Sequence, residues 1–312
     1  MKVSILIPCF NAESFVAETI QSALDQSYEQ LEIIVVDDGS NDGSAEQIAK
    51  HSDPRLQMIS QSNRGHSAAV NAAFARSTGK YIKYLDADDV ISPDHITLQV
   101  ERLNASSGAV AMGEWARFYS DDPYDAKFVS REMYRDADPV EWLASEWLDA
   151  RPMTQCGAFL IPREIIEQSG GWDEELTLID DFEFFTRMLL HAKQIVFTPG
   201  AKLHYRSGQS ESLSGRKDRK SIESAYLSLM RGTRHLISTE NSARTRRASA
   251  NLLQDFVYTY YPLHADLRNL VRARVEQLGG SDLEPDGPPR FHHLRKLTGW
   301  RLARRVQRLM GR

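Results

Sequence analysis

The segment Tyr81–Val90, YIKYLDADDV, holds the key to this chain. A short, mostly apolar run, Tyr81–Leu85, is followed at once by three carboxylates, Asp86, Asp88 and Asp89. Aspartate is depleted from strands and crowded like charges repel, so the strand must end where the acids begin. The same grammar recurs at Glu32–Val36, where DDGSNDGS follows, and similar apolar runs stand at Val3–Ile7 and Leu56–Ile59. Helical patterns lie between them. Ala12–Gln26 carries Phe15, Val16, Ile20, Ala23 and Leu24 at helical spacing with Asn11 as N-cap; His66–Ser77 is Ala-rich and stops before Gly79; Ser92-Pro93 opens a helix to about Ser106. Alternation of this length predicts an α/β fold, a mostly parallel sheet with helices on both faces. Ligands of such sheets sit beyond the carboxyl ends of the strands, where both Asp-Asp pairs fall.

The 312 residues suffice for one large or two smaller domains with a substantial core, and 41% hydrophobic with 26% charged residues is ordinary for a soluble protein. No apolar run approaches the roughly 20 residues that span a bilayer. Pro8 and Asn11 interrupt MKVSILIPCF too early for a signal peptide, so a cytoplasmic location is expected. Cys9 and Cys156 lack any zinc or redox spacing and are expected as unpaired thiols. No GxGxxG, GxxxxGK[ST] or GxSxG motif occurs, which argues against dinucleotide, P-loop and α/β-hydrolase chemistry.

Further along, Asp138-Pro139 opens a helix through Asp149, Cys156–Ile161 reads as a strand, and Pro162 starts a helix ending at Gly170-Gly171. Asp181–His191 is an amphipathic helix, and residues 217–280 read as two or three helices. SDLEPDGPP, 281–289, has linker composition. Residues 290–312 carry eight Arg or Lys and no acid, which leaves −13 on residues 1–289 out of a net −5. Leu294, Leu297, Leu302, Val306 and Leu309 can share one face of a helix there, with Trp300 at an interface. That tail either docks on acidic protein or adsorbs to anionic lipid. Nucleic acid is not an expected partner, because the rest of the chain is acidic.

Each acidic motif has two readings on residues alone. Asp38 either caps its turn through local amides or accepts a nucleobase N–H. Asp86 and Asp88, in D-x-D spacing, are either solvated loop acids or hard oxygen ligands for Mg2+ or Mn2+ beside a diphosphate. Asp180-Asp181 either complement a helix dipole or supply a base. Trp172 in GGWDE is core or a sugar platform, and His204 is structural or a metal ligand.

Together the motifs resemble the family-2 glycosyltransferases, which have the GT-A fold. The segments that carry the likeness are SILIPCFNAESFVAETIQSALDQSYEQLEIIVVDDGSNDGS, NRGHSAAVNAAFARSTGKYIKYLDADDVISPDHI and GGWDEELTLIDDFEFFTRML, within residues 1–215. The resemblance implies a catalytic domain at 1–215; pattern and composition divide the rest into a helical extension at 216–280, the linker at 281–289 and a basic tail helix at 290–312. It implies inverting sugar transfer from a nucleotide-sugar donor, UDP-linked, to a carbohydrate or lipid-linked acceptor, with Mn2+ or Mg2+ as cofactor. Pro8, Phe10 and Glu13 would line the nucleotide, Asp38 would bond the base, and Arg64, Asn71, Asp86 and Ala87 would complete the nucleotide contacts. Asp88 would bind the metal with Asp86 beside it and His204 as a third ligand; Asp181 would be the general base; Trp172 and Asp173 would face the acceptor. The chain departs from the family pattern at Val70, where Arg is common, at Asp180, where Glu is common, and at Gly208, where His is often found. A degenerate, non-catalytic scaffold is the alternative. A sugar-nucleotide pyrophosphorylase is disfavoured because PCFNAES after the first strand contains no glycine.

Overall fold

The structure, a computed structural model, describes residues 1–209 and 218–310. It divides into two units, one comprising Met1–Trp142 with Thr154–Ala225 and the other Leu143–Met153 with Tyr226–Arg312. The expected boundary at 215/216 lies outside the described residues.

In the first unit, strands β1 (Val3–Cys9), β2 (Leu31–Asp37), β3 (Leu56–Ser60), β4 (Tyr81–Tyr84), β5 (Val90–Ile91), β6 (Ala109–Phe118), β7 (Phe159–Pro162) and β8 (Gln194–Arg206) form one sheet in the order β3-β2-β1-β4-β7-β6-β8-β5. Four of the seven pairings are parallel: β1 with β2, β1 with β4, β2 with β3, and β6 with β8. The first four strands match the expected runs within two residues. Val3, Ile5, Leu6 and Ile7 of β1 are fully buried, as a central parallel strand covered on both faces requires. The crossovers carry α1 (Val16–Leu24), α2 (Ser44–Ala49) and α3 (His66–Arg76). The strand order reverses beside β1, so the crevice between the carboxyl ends of β1 and β4 is the topological place for a ligand. Helices α4 (His95–Asn104), α6 (Arg163–Ser169) and α7 (Asp180–Leu189) complete this unit, while α5 (Pro139–Glu146) and α8 (Arg219–Thr239) run across the division.

Two local expectations need correction. Asn11 does not cap α1; its backbone is left-handed (φ 51°), and its side-chain oxygen accepts the Asn41 N–H at 2.8 Å. Cys156–Ala158 is a 3-10 turn, and the strand begins only at Phe159. Lys83, inside β4, is fully buried, with Nζ 2.6 Å from His95 Nε2 and 3.2 Å from Gln99 Oε1. Burial without a carboxylate holds its pKa well below that of an ordinary lysine. Its charge is thereby avoided and hydrogen bonds satisfy the amine.

The second unit contains α9 (Ala243–Tyr260), α10 (Ala265–Gln277), α11 (Pro289–Thr298) and α12 (Trp300–Leu309). Ser242 caps α9 in a capping box with Thr245. The basic tail is two helices, separated at Gly299 (φ 80°). Trp300 packs edge-on against Tyr258 and Tyr261 at 4.9 and 5.0 Å, so it is a docking residue and not a free interfacial one. Among the described residues no helix is long and apolar enough to cross a membrane.

The amino ends of β1 and β2 meet the loop before β4 around Gly79. Its N–H lies 2.8 Å from Ser4 Oγ and 3.0 Å from Glu32 Oε1. A Cβ at Gly79 would stand 2.4 Å from Ser4 Oγ and 2.6 Å from Ser4 N. Gly79→Ala therefore overpacks this junction and should lower unfolding stability by about 1–3 kcal/mol in urea titration.

Candidate active site

The turn after β2 is held by Asp38, which is 2% exposed. Its Oδ1 accepts from Gln61 Nε2 at 2.7 Å and from the Arg64 N–H at 2.9 Å, and its Oδ2 accepts the Gly65 N–H at 2.8 Å. These partners are not local, as a simple turn cap would have them; they lie 23 to 27 residues away. One carboxylate thus pins the loop after β3 and sets where α3 begins. Nearby, Asp42 and Ser44 accept the N–H groups of Glu13 and Ala12, and Glu13 Oε2 accepts the Gly43 N–H at 3.1 Å. Pro8 sits near the end of β1 opposite Val36, and Phe10 just beyond it is 41% exposed.

After β4 the chain turns through Asp86, Ala87, Asp88 and Asp89, closed by the Asp89 N–H on the Asp86 carbonyl at 3.1 Å. Asp89 is 1% exposed; its Oδ1 accepts the Arg206 N–H at 2.9 Å, and its Oδ2 has no hydrogen-bond partner among the described residues. Arg206 fastens the turn by donating from Nε to the Asp88 carbonyl at 3.0 Å and from Nη2 to Glu18 at 2.5 Å, with its guanidinium over Phe15 and Phe118. Burial and then Asp86 push the Asp88 carboxyl up to about 6. Burial, then Asp88 and Asp86, push Asp89 well above the usual carboxylate range.

Helix α7 enters the site through Ile179, whose backbone is left-handed (φ 50°), a costly conformation for a β-branched residue and one that tertiary ties must hold. Asp180 Oδ2 accepts from His66 Nδ1 at 2.9 Å and from Ser67 Oγ at 2.6 Å. Burial opposes ionisation of Asp180, yet the His66 charge and these hydrogen bonds prevail and lower its pKa. Asp181 Oδ1 accepts the Phe182 N–H at 2.8 Å; burial and then Asp180 push its carboxyl up to about 7. His66 also reaches the turn after β4, with Nε2 3.6 Å from Asp86 Oδ1. Burial lowers the His66 pKa, but the Asp180 and Asp86 carboxylates outweigh it and raise the pKa well above the usual imidazole value.

Several expected residues take other places. Trp172, expected to face the acceptor, is 4% exposed and stacked on Phe184 at 4.4 Å, with Tyr84, Phe185 and His66 against it edge-on. Its ring is core beneath His66 because aromatic neighbours cover it. Asp173 accepts the Glu175 N–H at 3.0 Å within the same loop. Asn71 holds that loop, accepting the Trp172 N–H at 2.9 Å and donating to the Trp172 carbonyl at 2.9 Å. Arg64 pairs with Glu174 at 2.8 Å. His204 is 4% exposed, is bonded through Nδ1 to the Pro123 carbonyl at 2.6 Å, and lies between Tyr124 and Phe128. The structure does not join it to Asp86 and Asp88: among the described residues no three His, Cys, Asp or Glu side chains are grouped as a metal would need. Both cysteines are free and buried. The residue that sequence reasoning missed is His66, whose only signal was its place in NRGHS at the start of a helix.

The three acids after β4 should separate on substitution. Asp89→Asn keeps the acceptor for Arg206 N–H and removes a group that burial already disfavours as a charge, so stability should change by less than about 1 kcal/mol. Asp89→Ala orphans that buried N–H and should cost about 1–3 kcal/mol, read by chemical unfolding.

The model of the family described as Glycosyl transferase family 2 matches residues 4–169, more than half of the chain. An uncharacterized glycosyltransferase of Haemophilus influenzae is 29% identical over 231 residues, covering 70% of this chain and 84% of that one. The putative teichuronic acid biosynthesis glycosyltransferase TuaG of Bacillus subtilis is 32% identical over 130 residues, 41% of this chain and 52% of its own. The chain spans only 17%, 34% and 31% of the length of three other curated relatives. The crystal structure of S. aureus TarS 1-349 in complex with UDP-GlcNAc has a similar fold, with a TM-score of 0.72 at 16% identity over 99% of this chain and 92% of that one. With a GT-A fold and a family match over more than half of its length, the chain belongs to glycosyltransferase family 2.

Proposed function

We propose that the chain is an inverting, metal-dependent transferase that moves a sugar from a UDP-linked donor to an acceptor hydroxyl in cell-surface polysaccharide or glycolipid synthesis. One observation carries this reading: the Asp86–Asp88 turn at the end of β4 and the Asp180–Asp181 start of α7 are tied together through His66. Donor-side and acceptor-side carboxylates therefore belong to one site. With no third protein ligand among the described residues, two carboxylates would hold a hard divalent cation only if a bound diphosphate completed its shell. Asp86 and Asp88 offer carboxylate oxygens, and the upward push on Asp88 by burial beside Asp86 is what a bound cation relieves. Mn2+ or Mg2+, when bound there, would supply charge neutralisation for the departing nucleotide diphosphate.

The residues of the chain have the following parts in this reading. The exposed ring of Phe10, with Pro8 and Glu13 around it, would flank the nucleotide. Asp38 would retain lone pairs for a base N–H while it holds the loop after β3. Asp181 would take the proton from the acceptor hydroxyl as that oxygen attacks the anomeric carbon from the face opposite the nucleotide. A carboxylate with its pKa near 7 is well matched to this duty, since a substantial fraction is ionised near neutral pH and that fraction is basic enough to accept the proton.

Asp181→Asn should abolish transfer while UDP binding, followed by calorimetry, persists; full transfer by that variant overturns the assignment. The base must be deprotonated, and its pKa is raised, so kcat should fall as pH drops through about 7 with a slope of one proton.

The same reading places the acceptor at a lipid surface. In the second unit α12 exposes Leu302 and Leu309, at 49% and 87%, among Arg301, Arg305 and Arg308. Apolar side chains ringed by arginine suit anionic lipid headgroups, at about 1 kcal/mol per basic residue. Phosphatidylglycerol vesicles should sediment the full chain, and Arg301→Glu with Arg305→Glu should weaken binding by at least roughly tenfold; equal sedimentation sinks the idea.

A further inference from the structure

His66 gathers three elements that are distant in sequence. It is the first residue of α3, and its two ring nitrogens point at two different carboxylates: Nδ1 at Asp180 Oδ2, 2.9 Å away, and Nε2 at Asp86 Oδ1, 3.6 Å away. Ionised carboxylates only accept, so Nδ1 donates to Asp180, while Nε2 faces Asp86 beyond hydrogen-bond distance. The ring is held edge-on by buried Trp172 at 5.2 Å, and the loop that carries it is pinned by Asp38 through the Arg64 and Gly65 N–H groups. Ser67, next in the chain, adds a second donor to Asp180 at 2.6 Å. On the far side of these contacts stands Ile179 in its left-handed conformation, immediately before Asp180. A strained step persists only where neighbouring contacts over-determine it. The two hydrogen bonds on Asp180 are such contacts, and the residue that follows is Asp181.

We propose that His66 is a positioning residue for the transfer reaction: by holding Asp180 it fixes the first turn of α7 and hence the orientation of the Asp181 carboxylate, with its longer contact to Asp86 as a weaker tie to the donor side. This inference rests on Asp181 being the base. The shorter, 2.9 Å arm carries the effect, because a charge-assisted hydrogen bond weakens steeply with distance and 3.6 Å lies outside hydrogen-bond range.

Conservative variants separate the two arms. Loss of a hydrogen bond to a charged group corresponds to roughly ten- to hundredfold in rate, so His66→Ala should lower kcat by that factor with donor KM changed less than about threefold. The amide of His66→Asn places a donor where Nδ1 stands and should recover most of the lost kcat. The amide of His66→Gln overlays Nε2 and should not. A residue that merely filled space would treat the two amides alike, so equal behaviour of Asn and Gln overturns the proposal, as does a His66→Ala loss lying wholly in donor KM. Unfolding of the ligand-free protein gives a readout independent of activity. His66→Ala and Asp180→Asn should be non-additive in Tm, and additivity overturns the proposal. A wild-type protein that transfers no sugar from any nucleotide donor would instead sink the functional reading, while the unfolding cycle still decides whether His66 acts through Asp180.

Discussion

The parallel pairing of β1 with β2 and β4 is the constraint on which the site depends. Parallel strands end on the same side, so the turns that follow β1, β2 and β4 are delivered to one edge regardless of what they carry. In this chain they carry carboxylates: Asp38 directly after β2, whose last residue is Asp37, and Asp86, Asp88 and Asp89 after β4. Strand β7 then runs antiparallel beside β4, and the segment after it returns through α6 and the Trp172 loop to start α7 at the same edge. The sheet thus assembles negative charge at a place where burial makes charge costly.

The fold answers that cost differently for each acid. Asp38 is satisfied by three donors from the loop after β3 and becomes a structural clamp. Asp89 is buried against the Arg206 backbone and shapes the turn. Asp180 is paired with His66 and Ser67 and keeps its charge more easily than a free carboxyl. For Asp88, Asp89 and Asp181 burial outweighs the hydrogen bonds and positive charges near them: Asp88 is pushed up to about 6, Asp181 to about 7, and Asp89 well above the usual carboxylate range. Carboxylates whose ionisation burial opposes are candidates for chemistry, because that ionisation is eased only by what they bind or by the proton they take.

Much of this was legible in advance. The β-branched runs followed by Asp-Asp announced strands ending at a ligand edge, since period and turn chemistry are properties of a few consecutive residues. The likeness to family-2 glycosyltransferases carried the rest of the outline. Local grammar failed where the decisive partner was remote. Asn11 looked like a helix cap but binds Asn41 across the crossover, and Trp172, core or sugar platform by its residues and acceptor-facing by the resemblance, is covered by Phe184 and Tyr84. His204 had the chemistry of a metal ligand, yet Tyr124, Phe128 and the Pro123 carbonyl claim it.

His66 marks the limit most sharply. Nothing in NRGHS distinguishes its imidazole from any other at a helix start, because its partners stand 20 and 114 residues further on. By itself the sequence determined the class of fold, the edge on which the acids lie and the identity of the acids, all consequences of short-range pattern. Only the tertiary structure decided which acids are neutralised and which are left exposed to one another, because ionisation in a buried site depends on distances of a few ångströms between residues that no pattern along the chain brings together.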